Sequence, residues 1–439
     1  MSRHWAELAS WMPPTLKFHC LVLAAIAFAG TTTWSIAHSG GGPVEASVRA
    51  GGGPGRAQAS GSRPARPVVR DETPGPDGLS EPTESGVHSD SILVVSAREN
   101  ALVLKDPESG ERTAFFRVGT SPNAVAVSKD GRTAVVTNRG ERISGTTICV
   151  VDLYATNLVR TIPLEVQTKN TDRSVTTRFY HRPSGVTFVN GEGGRHGGQS
   201  RVLVSCAIEG ALLLVDLVEA RVIGHCELEA ADSHDVAVDH SGQFAYVANH
   251  GSGTVSVVQL DRMRLVRSIE AGGGPRGIAL HPKKDEIWVT NAATNSISII
   301  DLKERNESME FACGAMPVDI CFSTDGESAY VVNMQEGNVS VIETDSLRVD
   351  KVIELERVTD TQARLRPVEM PGHFGKSPLP TRVLINPEGT RAWIATRRDD
   401  RIHEVDLDTY DVIRTVSAPT APDDLGWSRV QSHPAPLKR

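Results

Sequence analysis

Short apolar runs, separated by Asp-Gly or Gly turns, recur along the chain from residue 91 onward. They are rich in β-branched residues and too short for helices, so they predict β-strands. Four of them end in Asn: VVTN at 135–138, YVAN at 246–249, WVTN at 288–291 and YVVN at 330–333. Weaker copies end at Ser96, Cys206 and Thr396, which makes seven copies in all.

The copies have a fixed internal spacing. In most of them a second apolar run ends ten residues after the first, as from Asn291 to Asp301, and a Pro stands sixteen residues before the end of the first run, as Pro275 does. Ser233 takes the Pro position in the fourth copy. Each unit contains four apolar strands, the composition of one β-propeller blade.

The first and last copies are incomplete in complementary ways. The first lacks a Pro-led strand, and residues 421–428 form such a strand without a partner. We expect the C-terminal strand to complete the sheet begun by residues 92–95, because closing the ring removes exposed sheet edges. The predicted fold class is therefore all-β, a single seven-bladed β-propeller over residues 89–439.

The VVTN and WVTN cores, the SPDG-like turns and the VxVID-like third strands resemble the YVTN-repeat β-propeller family, including YncE-like exported proteins. The resemblance covers residues 89–439. It implies the propeller fold and a location that is often outside the cytoplasm. It implies no single activity, because such propellers include binding proteins, lyases, lactonases and redox partners.

Residues 1–38 have the order of a secretory signal: basic Arg3 and Lys17, an apolar run at 20–30 and a small-x-small site at 35–37. An uncleaved membrane anchor is the alternative, since the apolar segment extended through Ala37 approaches the length of a span. Residues 39–88, rich in Gly, Pro and Ser, predict a disordered linker. We expect an exported protein, periplasmic or extracellular, that contacts a membrane only through an uncleaved N-terminal segment.

Charge and cysteine spacing exclude several functions. The net charge of −8 gives no overall attraction to nucleic acid, so no nucleic-acid partner is predicted. No CxxC or CxxCH spacing occurs, so neither a zinc ribbon nor covalent haem is encoded. Buried thiols are the expectation, with Cys313 and Cys321 as the one pair considered for a disulfide. No cofactor is predicted, and a monomer is expected.

Two links between blades are longer than the others, at residues 153–182 and 344–379. Each joins the outer strand of one blade to the inner strand of the next, and such links all emerge on one face of a propeller. We therefore expect both insertions on one face, over the central channel. Long loops on a rigid scaffold are where binding sites usually form.

The same face should carry the residue after each Pro position and the residue after each Asn-type core. This ring is polar, and its arginines favour an anionic ligand or an acidic partner, although nearby aspartates could neutralise part of the charge. The candidate ligand-binding residues are His234, Asp235, His250, Arg139, Arg276, Asp319, Arg382, Arg397, His181 and His373.

Histidines that converge at a channel mouth could bind a metal or act as acid and base. Spacing alone does not show convergence, and a loop histidine is usually solvated or hydrogen-bonded, so no metal site is predicted. Ser233 beside His234 lacks the GxSxG nucleophile elbow, and no catalytic residue is assigned.

The leading hypothesis is an exported binding or scaffolding propeller that presents its insertion-bearing face to a protein or a small anionic ligand. One alternative is a lactonase-like hydrolase or a lyase that uses the histidines and carboxylates of that face. Another is a redox-accessory propeller that docks a haem or quinoprotein partner. The sequence leaves open the identity of the ligand and the presence of catalysis.

Overall fold

A computed structural model of the 439-residue protein describes residues 90–189, 200–359, 361–362 and 374–429. Within these residues thirty β-strands form seven four-stranded antiparallel sheets and one two-stranded sheet. The predicted signal segment and linker, residues 1–88, lie outside the described residues. No helix in the described part is long and apolar enough to cross a membrane.

Turns separate the strands, and most of the apolar residues in the strands are buried. The strands of the first three blades are β1 (Asp90–Ser96), β2 (Ala101–Lys105), β3 (Arg112–Arg117), β4 (Pro122–Val127), β5 (Thr133–Gly140), β6 (Ser144–Asp152), β7 (Asn157–Pro163), β10 (Pro183–Phe188), β11 (Arg201–Cys206), β12 (Ala211–Asp216) and β13 (Arg221–Glu227). Between β7 and β10 a hairpin is inserted, formed by β8 (Glu165–Lys169) and β9 (Val175–Phe179).

The remaining blades follow the same plan. Their strands are β14 (Ser233–Val238), β15 (Phe244–Asn249), β16 (Thr254–Gln259), β17 (Arg264–Glu270), β18 (Pro275–Leu280), β19 (Glu286–Asn291), β20 (Ser296–Asp301), β21 (Asn306–Ala312), β22 (Pro317–Phe322), β23 (Ser328–Asn333), β24 (Asn338–Glu343), β25 (Arg348–Glu354), β26 (Pro380–Ile385), β27 (Arg391–Thr396), β28 (Arg401–Asp406), β29 (Val412–Ser417) and β30 (Pro422–Arg429).

The seven-bladed ring closes as predicted. The first blade has the order β3-β2-β1-β30, and β30 pairs antiparallel with β1 from Asp90 opposite Arg429 to Ser96 opposite Pro422. The other six blades each use four consecutive strands. The predicted all-β, seven-bladed fold, closed by the C-terminal strand in the first blade, is confirmed.

The Asn that ends each strong core has a structural role. In the fifth blade the Asn291 side-chain amide donates hydrogen bonds to Ser298 Oγ at 2.8 Å and Ser296 Oγ at 3.2 Å on the neighbouring strand. In the second blade Asn138 Oδ1 accepts the Gly119 N–H at 2.9 Å. These buried amides satisfy polar groups at the strand ends, which explains why the residue recurs with the repeat.

The core lies between neighbouring blades. Leu93 and Leu102 of the first blade pack with Val136 and Cys149 of the second, and all four are buried. Equivalent clusters join the other blades, so the apolar face of each sheet is covered by the next sheet. All five cysteines in the described part are free thiols, including Cys313 and Cys321.

Candidate functional site

The inner strand of every blade has a shift of register, a β-bulge, at its start. In the fifth blade, for example, Pro275 pairs with Asn291 and the next pair is Ile278 with Val289. Two residues of β18 therefore lie opposite one residue of β19. A bulge turns consecutive side chains toward the same side. Both residues after the Pro position, Arg276 and Gly277, therefore reach the central channel.

A cavity of about 100 Å³, here called the mouth cavity, lies where the inner strands begin. The structure brings together there the residue after each of the seven Pro positions: Asn123, Ser184, His234, Arg276, Val318, Thr381 and Asp423. Arg139 and Arg397, which follow the cores of the second and seventh blades, also line it.

Seven of the ten predicted site residues line the mouth cavity: His234, Asp235, Arg139, Arg276, Asp319, Arg382 and Arg397. His250 lies next to His234, with 5.5 Å between the ring centroids. His181 instead pairs with Glu209, its Nδ1 2.6 Å from the carboxylate. His373 lies outside the described residues.

The deeper part of the mouth cavity holds one arginine and three aspartates. The Arg382 guanidinium lies 2.9 Å from carboxylate oxygens of both Asp319 and Asp424, and 3.6 Å from Asp235. Arg382 and Asp235 also line a second cavity of about 500 Å³ further along the channel. This cluster therefore separates the two cavities.

The same aspartates connect adjacent blades. Asp424 of β30 accepts the Val125 N–H of β4 at 2.8 Å, and Asp319 of β22 accepts the Val383 N–H of β26 at 2.9 Å. The bulge leaves these N–H groups without a strand partner, and a carboxylate from the preceding blade satisfies them. The cluster of Arg382 and its aspartates is therefore part of the scaffold.

The outer part of the mouth cavity carries excess positive charge. Arg397 pairs with Asp423 at 3.0 Å. Among the described residues, neither Arg139 nor Arg276 has a carboxylate within ion-pair distance, and Arg139 Nε is buried without a hydrogen-bond partner. Burial is the main cause that lowers the pKa of both guanidiniums, and Arg182 and Arg276 lower that of Arg139 further. For Arg276 the charge of Asp423 opposes the pKa shift and that of Arg397 adds to it.

Asp232, His234 and His250 form a cluster at the edge of the mouth cavity. His234 Nε2 and His250 Nδ1 each lie 3.5 Å from Asp232 Oδ2. Contacts with the two imidazoles hold the pKa of Asp232 well below its usual range. Burial is the main cause that lowers the pKa of His234 to about 4; contact with Asp232 opposes the shift and Arg276 adds to it. The His234 imidazole is therefore neutral near pH 7.

Sequence reasoning missed Asp232. It precedes Ser233, which takes the Pro position of the fourth blade, and its φ of 53° places it in the left-handed region. The equivalent residue has positive φ in the other blades too, for example Met316 and Leu379. The position before the Pro is therefore a turn position in every blade, but its place in the repeat does not show that the Asp232 side chain approaches two histidines.

Both insertions reach the face that carries the mouth cavity. The first contacts the loop after β11 through His181 and Glu209, and Ser377 of the second donates a hydrogen bond to the Met334 carbonyl in the loop after β23. These loops occupy equivalent positions in their blades, so the two insertions share a face.

The first insertion does not cover the channel, contrary to expectation. Its hairpin lies beside β13, the outer strand of the third blade, and Arg178 pairs with Glu227 there at 3.0 Å. Val166 packs against the core shared by the second and third blades, which draws the hairpin outward. Among the described residues, none from β8 or β9 lines the mouth cavity.

Comparison with known proteins agrees with the fold. A family model described as "Lactonase, 7-bladed beta-propeller" matches residues 215–422. This is just under half of the chain, and the chain is similar to that family over those residues. No curated protein matches the chain.

Two solved structures share the architecture. A functionally unknown protein from Desulfotomaculum acetoxidans DSM 771 is 14% identical with a TM-score of 0.60, and the match covers 78% of this chain and 100% of that one. Kuenenia stuttgartiensis hydrazine synthase is 17% identical with a TM-score of 0.54, and the match covers 70% of this chain and 90% of that one. At these identities the likeness shows the fold alone.

Proposed function

We propose that this propeller is a binding protein that takes up a small anionic ligand in the mouth cavity. The observation that carries the proposal is the pair Arg139 and Arg276, two half-buried guanidiniums that line the cavity without a carboxylate partner among the described residues. Carboxylate and phosphate oxygens are the groups that guanidinium donors bind best.

An anion would relieve an electrostatic cost that the protein carries without one. Burial and the neighbouring guanidiniums disfavour the charged forms of Arg139 and Arg276, which is the direction of their lowered pKa values. An anion between them would favour the charged forms again. Asp423 supplies part of this compensation, but its shortest contact is with Arg397.

The dimensions limit the ligand. A cavity of about 100 Å³ holds a carboxylate or a phosphate group but not a whole nucleotide, so a larger ligand would insert only its anionic end. An acidic side chain of a partner protein meets the same requirement. The binding and scaffolding forms of the hypothesis therefore share one anion-recognition site.

Phosphate titration of single variants tests the proposal. We expect inorganic phosphate to bind the wild-type protein in isothermal titration calorimetry, and Arg276→Gln and Arg139→Gln each to weaken binding by roughly 10-fold to 100-fold, the range for a lost hydrogen bond to a charged group.

Arg401→Gln is the matched control, because Arg401 pairs with Glu356 and does not line the cavity. Its phosphate affinity should equal that of the wild type. If phosphate and acetate both fail to bind the wild-type protein at millimolar concentration, or if Arg276→Gln binds as tightly as the control, the proposal is wrong.

A lactonase-like hydrolase is the second candidate, favoured by the family match over residues 215–422. The neutral His234 imidazole could act as a general base, with Arg276 stabilising negative charge that develops on the substrate. This candidate predicts hydrolysis of lactones that His234→Ala reduces by roughly 100-fold or more. Absence of hydrolysis above the uncatalysed rate would exclude it and leave the anion proposal standing.

The finer parts of the hypothesis belong to the same proposal: a YVTN-type propeller, exported as a monomer. Export rests on residues 1–38, and cell fractionation tests it directly. The redox-partner alternative stays a prediction, because the likeness to hydrazine synthase concerns the fold.

A further inference from the structure

Three positions of each blade meet at the edge of the mouth cavity: the residue before the Pro position, the residue after it, and the residue after the Asn-type core. In the fourth blade these are Asp232, His234 and His250. In the other blades, in chain order from the first, the sets are Ala421, Asp423 and Ala97; Ser121, Asn123 and Arg139; Arg182, Ser184 and Ala207; Gly274, Arg276 and Ala292; Met316, Val318 and Met334; and Leu379, Thr381 and Arg397. The fourth blade alone has metal-ligating side chains at all three.

The backbone brings these positions together in every blade. In the fourth, the His250 N–H donates a hydrogen bond to the Asp232 carbonyl at 3.0 Å, and the Asp232 N–H donates to the Ala207 carbonyl at 3.2 Å. The His250 ring lies against Gly274, where a Cβ would come within 3.2 Å of Nε2. The three side chains are therefore held by scaffold contacts that do not depend on a ligand.

The separations suit a shared ion better than direct hydrogen bonds. The two imidazole nitrogens lie 3.5 Å from Asp232 Oδ2, longer than the roughly 2.9–3.0 Å typical of an N–H···O bond. Donor atoms around one tetrahedral Zn²⁺ at roughly 2.0–2.1 Å lie roughly 3.4 Å from one another. All three donor atoms are within 4.8 Å of one another, so one ion can contact each of them after small side-chain adjustments.

We propose that Asp232, His234 and His250 bind one divalent transition-metal ion, for which Zn²⁺ is the best fit. Two imidazoles and one carboxylate form a donor set typical of sites that keep a coordination position for a further ligand. His234 also lines the mouth cavity, so that position adjoins Arg276 and Arg139. The proposed metal site does not depend on the proposed anion site.

The neighbouring arginines give the metal site a distinctive property. Their positive charges disfavour a cation, and an anion between them and the ion removes that repulsion. Metal and anion should therefore each raise the affinity for the other by the same factor. Inorganic phosphate should increase the affinity for Zn²⁺ in the wild type, and this increase should be smaller in Arg276→Gln.

The primary test is direct metal binding by the full chain after treatment with a chelator. We expect one equivalent of Zn²⁺ in equilibrium dialysis followed by elemental analysis, and a Co²⁺ adduct whose visible absorption reports imidazole coordination. His250→Ala, His234→Ala and Asp232→Asn should each weaken Zn²⁺ binding by at least about 10-fold. Mutation of a residue that only supports a metal ligand already weakens metal binding by about that factor.

His181→Ala is the matched control. This histidine lies on the same face, also beside a carboxylate, but outside the cluster. It should bind Zn²⁺ like the wild type, and metal-free thermal unfolding should show that all variants are folded. The proposal is overturned if the wild type binds less than one equivalent at micromolar Zn²⁺, or if His181→Ala loses as much affinity as His250→Ala. Arg276→Gln separates the two proposals, because it should lose phosphate and retain Zn²⁺.

Discussion

Arg382 and its three aspartates show how single residues set the electrostatics of the channel. Asp319 and Asp424 are buried, and the three carboxylates exceed the one guanidinium in charge. Burial raises the pKa of Asp424 to about 7 and raises the pKa of Asp235, while Arg382 opposes both shifts. The cluster therefore takes up protons near neutral pH.

The sign of the linkage follows from these shifts. A carboxyl whose pKa is raised on folding contributes stability that is present below its unfolded pKa of about 3.9 and lost as the pH rises through its folded pKa. For Asp424 that window extends from about pH 4 to about pH 7. The free energy of unfolding of the wild type should therefore fall as the pH rises through this window, and it should fall less in Asp424→Asn.

Removal of the guanidinium should have a pH-dependent cost. Arg382→Gln leaves buried carboxylates without their cation, a change that costs about 3 kcal/mol at pH 8, the low end of the range because 34% of the arginine side chain is exposed toward the channel. The loss should be smaller at pH 5, where protonation relieves the repulsion. Chemical unfolding at both pH values measures it.

A surface ion pair provides the comparison. Arg221→Gln removes the partner of Glu219 at a far more exposed position and should cost about 1 kcal/mol or less at either pH. An equal loss for Arg382→Gln at pH 5 and pH 8 would contradict the electrostatic account of the cluster.

At the scale of elements, the β8–β9 hairpin is an addition to the ring rather than part of it. Leu164 and Tyr180, at its base, are fully buried, whereas β9 is exposed along its whole length. The Tyr180 N–H donates to the Leu164 carbonyl at 2.9 Å, so the base is already closed without the hairpin.

The hairpin can therefore be replaced. A short Asn-Gly turn in place of residues 165–179 should leave the propeller folded, with phosphate affinity within about twofold of wild type, because the hairpin does not line the mouth cavity. Circular dichroism and phosphate titration measure both results. Loss of phosphate binding would show that the hairpin acts on the cavity, and loss of a protein partner alone would assign the hairpin to scaffolding.

At the scale of the whole molecule, the C-terminal strand holds the ring closed. Leu425 is buried in the core shared with the seventh blade, and Trp427 stacks with Trp393 at 5.1 Å between ring centroids. Without β30, β1 loses its inner strand partner, and the side of β4 that faces the first blade becomes exposed. A closed ring thus depends on pairing between residues more than 300 positions apart, such as Asp90 and Arg429.

Truncation tests this closure. Deletion from Leu425 onward should prevent stable folding, since loss of one buried leucine side chain alone costs about 2–5 kcal/mol and the open ring exposes two sheet edges. Deletion of residues 430–439 is the control and should leave β30 intact. Size-exclusion chromatography and thermal unfolding distinguish the outcomes, and a monomeric, cooperatively folded truncation at Leu425 would refute the argument.

The sequence by itself determined the seven blades, their closure and the ring of residues at the channel mouth. These follow from the spacing of apolar runs and turns, because the β-strand pattern and turn chemistry are local properties that the repeat copies along the chain. Seven of the ten candidate residues reached one cavity for that reason.

Only the tertiary structure decided which charges compensate one another. Arg382 and Asp424 come from different blades, and their depth in the channel depends on the bulges and on packing between sheets. The outward position of the hairpin and the approach of Asp232 to His234 and His250 depend on the same contacts. Spacing assigns a residue to a blade and a strand end, but side-chain distances of a few ångströms are fixed by the packed neighbours.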